Sequence, residues 1–198
     1  RKDQTAGSLI WIGETYFGLG ESSSDDAKRA ERYFKDASEA YQQILDRVKE
    51  DAKFVDEDRV TAVRLRQAGC RRKQKQFDKA KSMLTPILTQ NGNILDAQIE
   101  ANQLYQDWGA DAEKDRGRYY LLAIHGDPKL KSWGWGVTAK NIHRMINSGN
   151  PDAKVIYEDK LYQSIYAQMM CRYEYGMTLS GAKRKEQFNY ALSELRSF

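Results

Sequence analysis

Histidine, cysteine and paired carboxylates carry much of protein chemistry, and in this sequence they are scattered. Neither His125 nor His143 has a cysteine, carboxylate or second histidine at the spacing of a metal-binding motif. Cys70 and Cys171 lie far apart and match no zinc spacing either. We therefore predict surface or helix-capping histidines, packed free thiols and no metal site.

Motifs for nucleotide binding and nucleophilic catalysis are not found. The glycines of residues 133–136 are not followed by the GK[ST] of a phosphate-binding loop, and the chain contains no GxSxG sequence. Neighbouring carboxylates such as Asp25 and Asp26 do not face each other on a helix. We expect no cofactor and no enzyme active site in this segment.

Basic residues cluster in one short part of a chain whose net charge is only +4. They are Arg64, Arg66, Arg71, Arg72, Lys73 and Lys75. Such a cluster is typical of a solvated helix face, and it is also compatible with nucleic-acid binding through phosphate contacts. The acidic residues just before it, in 50–58, argue against nucleic acid.

Length and composition indicate a soluble helical chain that is part of a longer protein. The 198 residues include three prolines, so most of the chain can form helix. The most apolar stretch, 9–19, contains Glu14 and is too short to span a membrane. The chain begins at Arg1 and ends at Phe198 within a predicted helix. A signal peptide or anchor would fall outside the segment, which leaves the compartment open.

Hydrophobic periodicity is the strongest structural signal. Apolar residues from Ala27 to Val48 recur at alternating spacings of three and four, which places them on one helix face. Ser24 is the predicted N-cap of this helix. The same analysis predicts nine helices, at 5–19, 25–51, 57–74, 77–90, 94–108, 112–125, 132–147, 154–178 and 183–198. Most predicted turns contain glycine, including Gly20, Gly92, Gly109, Gly126, Gly149 and Gly181.

Several of these helices resemble tetratricopeptide repeats, in which small residues let two helices approach closely and aromatic or aliphatic residues fill the gaps. The residues that carry the resemblance are Leu9, Ile12, Gly13, Tyr16, Ala30, Phe34, Ala37, Leu65, Ala68, Ala80, Leu84, Ile87, Tyr120, Ala123, Pro128, Trp135, Ala139 and Ile142. The match is divergent: Arg71 stands where an aromatic residue is usual, and Arg116 where a small one is.

The resemblance implies an all-α fold, a right-handed α-solenoid of antiparallel helical hairpins, forming one domain over 1–198. The hairpins are expected at about 5–52, 56–91, 93–127 and 131–178, with a terminal helix at 183–198. Pro86 falls inside a predicted helix, where it removes a hydrogen bond to Ser82. We expect a kink or an early helix end there.

The resemblance also implies a binding surface, because in such solenoids the first helix of each hairpin lines a concave side on which partner segments dock. The exposed first-helix positions are Glu14, Arg66, Arg72, Lys73, Gln103, Gln106, Asp107, Lys140, His143 and Arg144. Their polar and locally basic character favours a polar or acidic protein segment. Ile10 and Glu14 replace the residues by which some relatives bind a terminal carboxylate, which disfavours that type of ligand.

The function expected from the sequence is thus a non-catalytic protein-interaction scaffold. Nucleic-acid binding through 64–75 is the alternative from another class, and a structural spacer or self-association module is a third. The sequence identifies neither the partner nor the oligomeric state.

Overall fold

The computed structural model describes residues 4–23 and 25–196, which form nine α-helices and no strand. In chain order the helices are α1 (Ala6–Ser22), α2 (Ala27–Glu50), α3 (Glu57–Lys73), α4 (Phe77–Gln90), α5 (Leu95–Asp111), α6 (Arg116–His125), α7 (Gly134–Ile146), α8 (Ala153–Met177) and α9 (Gly181–Arg196). The predicted all-α class of helical hairpins is confirmed. No helix in the described part of the chain has the length and apolar character needed to cross a membrane.

Side-chain caps begin the first two helices. The Thr5 hydroxyl accepts a hydrogen bond from the Ser8 amide at 3.2 Å, and the Asp26 carboxylate accepts one from the Arg29 amide at 3.0 Å. Each cap satisfies an amide that has no partner within the helix. The predicted cap of α2, Ser24, lies outside the described residues, and Asp26 occupies the cap position.

Two glycines predicted to end helices instead lie within them. α1 continues past Gly20 to Ser22, and α5 continues past Gly109 to Asp111. A Cβ on Gly20 would lie 2.7 Å from the Phe34 ring, and one on Gly109 would lie 3.1 Å from the Tyr120 ring. Both glycines permit close helix packing, so the predicted stops were wrong.

Pro86 does not end its helix, because α4 runs on to Gln90. The early end that we expected is therefore wrong. A proline within a helix removes only one backbone donor, and buried neighbours on both sides favour continuation: Leu84 and Leu88 are fully buried and Ile87 nearly so. The alternative expectation, a kink at Pro86, stays a prediction.

The chain divides into two compact units, an N-terminal unit of Arg1–Ile87 and a C-terminal unit of Leu88–Phe198. In the N-terminal unit α2 packs against both α1 and α3. The face predicted from periodicity lies in this core, with Phe34, Ala37, Tyr41 and Ile44 buried. The expectation of a single domain over 1–198 stays a prediction.

The C-terminal unit stacks one hairpin on another. α5 packs against α6, and α7 packs against α8. The two first helices, α5 and α7, are in contact, as are the two second helices, α6 and α8, and α9 covers part of α8. This order of contacts is typical of helical repeats, in which each hairpin covers the apolar face of its neighbour. The predicted right-handedness stays a prediction.

Candidate functional site

Glu14 on α1 is the centre of a partly exposed polar network in the N-terminal unit. Its Oε1 accepts hydrogen bonds from Nε of Arg66 at 2.9 Å and from the Tyr41 hydroxyl at 2.8 Å. The Arg66 guanidinium also lies 5.6 Å from the centre of the Phe17 ring. Burial, reinforced by the Glu14 carboxylate, raises the pKa of the Tyr41 phenol above its usual range. Arg66 and Glu14 therefore largely neutralise each other.

The other two basic candidates of this unit are not freely exposed. Arg72 is only 5% exposed, so its predicted exposure was wrong. It lies one helical turn after Ala68, which is fully buried, and therefore shares a packed face of α3. Lys73 is half-buried, with its ammonium group 6.0 Å from the centre of the Phe34 ring. The basic stretch 64–75 thus does not form one continuous charged face.

In the C-terminal unit the three candidates on α5 are half-buried. Oε1 of Gln106 accepts a hydrogen bond from the indole Nε1 of Trp135 at 3.1 Å, which ties α5 to α7. Gln103 and Asp107 also have interactions of their own. Gln106 therefore supports the packing of α7, and its amide oxygen is occupied by the Trp135 indole.

The three candidates on α7 are all exposed: Lys140, His143 and Arg144. Neither Lys140 nor Arg144 has a carboxylate within ion-pair distance among the described residues, and Arg144 donates only to the amide oxygen of Asn141, at 3.2 Å. Val137 lies on the same face and is 46% exposed. We call Val137, Lys140 and Arg144 the α7 face, because their spacing of three and four places them together.

A buried hydrogen-bond network sets the position of α7. Nδ2 of Asn102 donates to Oγ1 of Thr138 at 2.9 Å, and its Oδ1 accepts from the Gly134 amide at 3.1 Å. One turn earlier, Oε1 of Gln98 accepts from the Trp133 amide at 2.8 Å. Two α5 side chains therefore satisfy the first amides of α7, which have no partner within that helix.

The loop before α7 is held by Asp127. Its carboxylate accepts hydrogen bonds from the Tyr105 hydroxyl and, at 2.9 Å, from the Lys129 amide. Its own amide donates to the Ser132 hydroxyl at 2.7 Å. Burial and the bond to Asp127 raise the pKa of the Tyr105 phenol above its usual range. The loop is thus a fixed support for the α7 face.

The buried tyrosines should ionise at higher pH than exposed tyrosines do. Burial raises the pKa of Tyr41, Tyr105 and Tyr120. Above about pH 10 the unfolded chain releases these protons while the folded chain keeps them, so the free energy of unfolding falls as the pH rises. Phenolate absorbance should show Tyr41 and Tyr105, two of the twelve tyrosines, ionising only when the protein unfolds. Ionisation of all twelve in one step in the folded protein would contradict this expectation.

No chemically reactive cluster is found in the described part of the chain. No group of three histidine, cysteine or carboxylate side chains could hold a metal ion there. Both cysteines are buried and free, as predicted. Burial raises the pKa of the Cys171 thiol to about 12, which keeps it protonated at neutral pH.

Sequence reasoning missed a cleft of about 380 Å³ between α1 and α2. Ile12 and Tyr16 supply half-buried apolar surface, and Asp36 and Glu39 supply two carboxylates. The spacing of three on α2 could have placed the carboxylates together. Only the packing of α1 against α2 shows that they line a cleft.

Comparisons of the chain with protein-family models, with curated proteins and with solved structures find no match.

Proposed function

We propose that this chain is a non-catalytic protein-interaction scaffold of the tetratricopeptide type, and that its α7 face binds an acidic segment of a partner protein. The observation that carries the proposal is the exposure of Lys140 and Arg144 without carboxylate partners among the described residues, beside the exposed Val137. Cations held this way on a fixed helix can form charge-assisted hydrogen bonds with carboxylates, while the valine contacts apolar side chains.

The helix–helix contacts of the C-terminal unit support this proposal. α5 and α7 are adjacent first helices in contact with each other, as expected of first helices that line one side of a solenoid. Arg66 is neutralised by Glu14, and Arg72 is buried, so these two contribute little. The interaction surface of the scaffold is therefore centred on α7.

Charge reversal tests the proposal. The Lys140→Glu/Arg144→Glu variant should bind a fluorescein-labelled peptide of alternating glutamate and leucine at least about tenfold more weakly, which corresponds to about 1.4 kcal/mol. Fluorescence anisotropy measures the affinity. The matched control is Lys183→Glu/Lys185→Glu on α9, which changes the net charge equally at exposed positions. Equal losses in both variants would show a non-specific charge effect and remove the proposal.

The same anisotropy assay distinguishes peptide binding from the alternative of nucleic-acid binding. A labelled single-stranded RNA should bind weakly, and its affinity should not depend on Lys140 or Arg144. Tight RNA binding that falls steeply with salt would instead favour several phosphate contacts. That result would replace the peptide-binding proposal.

A further inference from the structure

The cleft between α1 and α2 is lined mainly by polar atoms and has a negatively charged rim. Leu9 is almost completely buried beneath it, and Ile12 and Tyr16 are half-buried along one side. Asp36 is half-buried and Glu39 exposed on the other side. The volume of about 380 Å³ is large enough for a long side chain or a small organic group.

The two carboxylates form no ion pair within the described residues, and the exposed Lys35 lies one helical turn before Glu39. Neither Asp36 nor Glu39 forms an ion pair or a side-chain hydrogen bond there, and no lysine or arginine of the described chain lines the cleft. Arg32 is one turn before Asp36, but its guanidinium lies 5.6 Å from the centre of the Tyr33 ring. Like charges one helical turn apart repel each other, so a cation between them would be stabilised.

We propose that this cleft binds an arginine or lysine side chain from a basic segment of a partner protein. The alkyl stem of such a side chain would pack on Ile12 and Tyr16, and the charged head would reach Asp36 and Glu39. The ligand is opposite in charge to the acidic segment assigned to the α7 face, so this is a second and independent interaction site.

Peptide titrations test this site directly. Blocked peptides that differ only in a central arginine or its neutral analogue citrulline are titrated into the isotopically labelled full chain, and amide shifts are followed by NMR. The arginine peptide should shift the amides around Ile12, Tyr16 and Asp36. The citrulline peptide should bind at least about tenfold more weakly, and the difference should shrink at high salt.

The Asp36→Asn/Glu39→Gln variant removes both charges with little change in shape. It should bind the arginine peptide about tenfold more weakly than the unmodified chain. The Glu21→Gln/Glu31→Gln variant, with the same charge change at exposed positions outside the cleft, should bind as the unmodified chain does. Circular dichroism checks that all variants are equally helical. Equal affinity for arginine and citrulline, or equal losses in both variants, would overturn the proposal.

Discussion

Gly126→Ala is expected to destabilise the C-terminal unit by about 4 kcal/mol or more, the largest effect of any substitution considered. Gly126 has φ 87° and ψ 166°, a region that essentially only glycine occupies. A Cβ there would lie 2.1 Å from the carbonyl oxygen of Ser132 and 2.8 Å from the carbonyl carbon of Trp133. Both are backbone atoms of the loop before α7, which cannot move aside without breaking the Asp127 hydrogen bonds. The urea midpoint, followed by circular dichroism and tryptophan fluorescence, measures the loss.

A second glycine provides the control for crowding. Gly149 also has φ 87°, but no atom lies within 4 Å of a Cβ placed on it. Gly149→Ala should therefore cost only the backbone strain, about 1 to 2 kcal/mol. If the two variants lost equal stability, the close approach of Gly126 to the loop would have no energetic importance.

Asn102→Ala is expected to destabilise the same unit by about 3 kcal/mol. Asn102 is fully buried, and its amide holds Thr138 and the Gly134 amide. The substitution leaves the Gly134 donor unsatisfied in the interior, and it also removes packing volume. Chemical denaturation measures the change, and hydrogen exchange at the first turn of α7 should accelerate.

Asn141→Ala is the matched control for Asn102→Ala. Asn141 lies on α7 and its amide oxygen accepts only from the exposed Arg144. Its replacement should change stability by less than about 0.5 kcal/mol. A loss as large as that of Asn102→Ala would mean that the buried network is not what holds α7. Asn141 is not part of the α7 face, so the variant should also keep most of its affinity for the acidic peptide.

Helix positions were largely predictable because helix formation depends on local spacing. The seven apolar residues from Ala27 to Val48 identified α2, and α4 was predicted with its observed bounds at Phe77 and Gln90. The predicted helix ends were wrong at some glycines, because glycine both ends helices and allows close packing within them. Gly126 ends a helix with a positive φ, and Pro128 two residues later marks that end, whereas Gly20 lies in a helix against Phe34.

Exposure was harder to predict than helical structure. Arg72 was expected to be exposed because it stands at an exposed first-helix position of the repeat resemblance, but the helix places it one turn after Ala68 on a packed face. Glu14 looked like part of a binding surface, but Arg66, distant in sequence, neutralises it. Five of the predicted positions are exposed, namely Glu14, Arg66, Lys140, His143 and Arg144, but the first two are paired with each other.

The sequence by itself determined that the chain is all-α, where its helices lie, and that both cysteines are buried free thiols, because these properties follow from periodicity and residue type. Only the tertiary structure decided which charges are neutralised and which are available. Ion pairs such as Glu14–Arg66 and clefts such as that beside Asp36 join residues from different helices. Their formation depends on helix packing distances, and a one-dimensional pattern does not contain those distances.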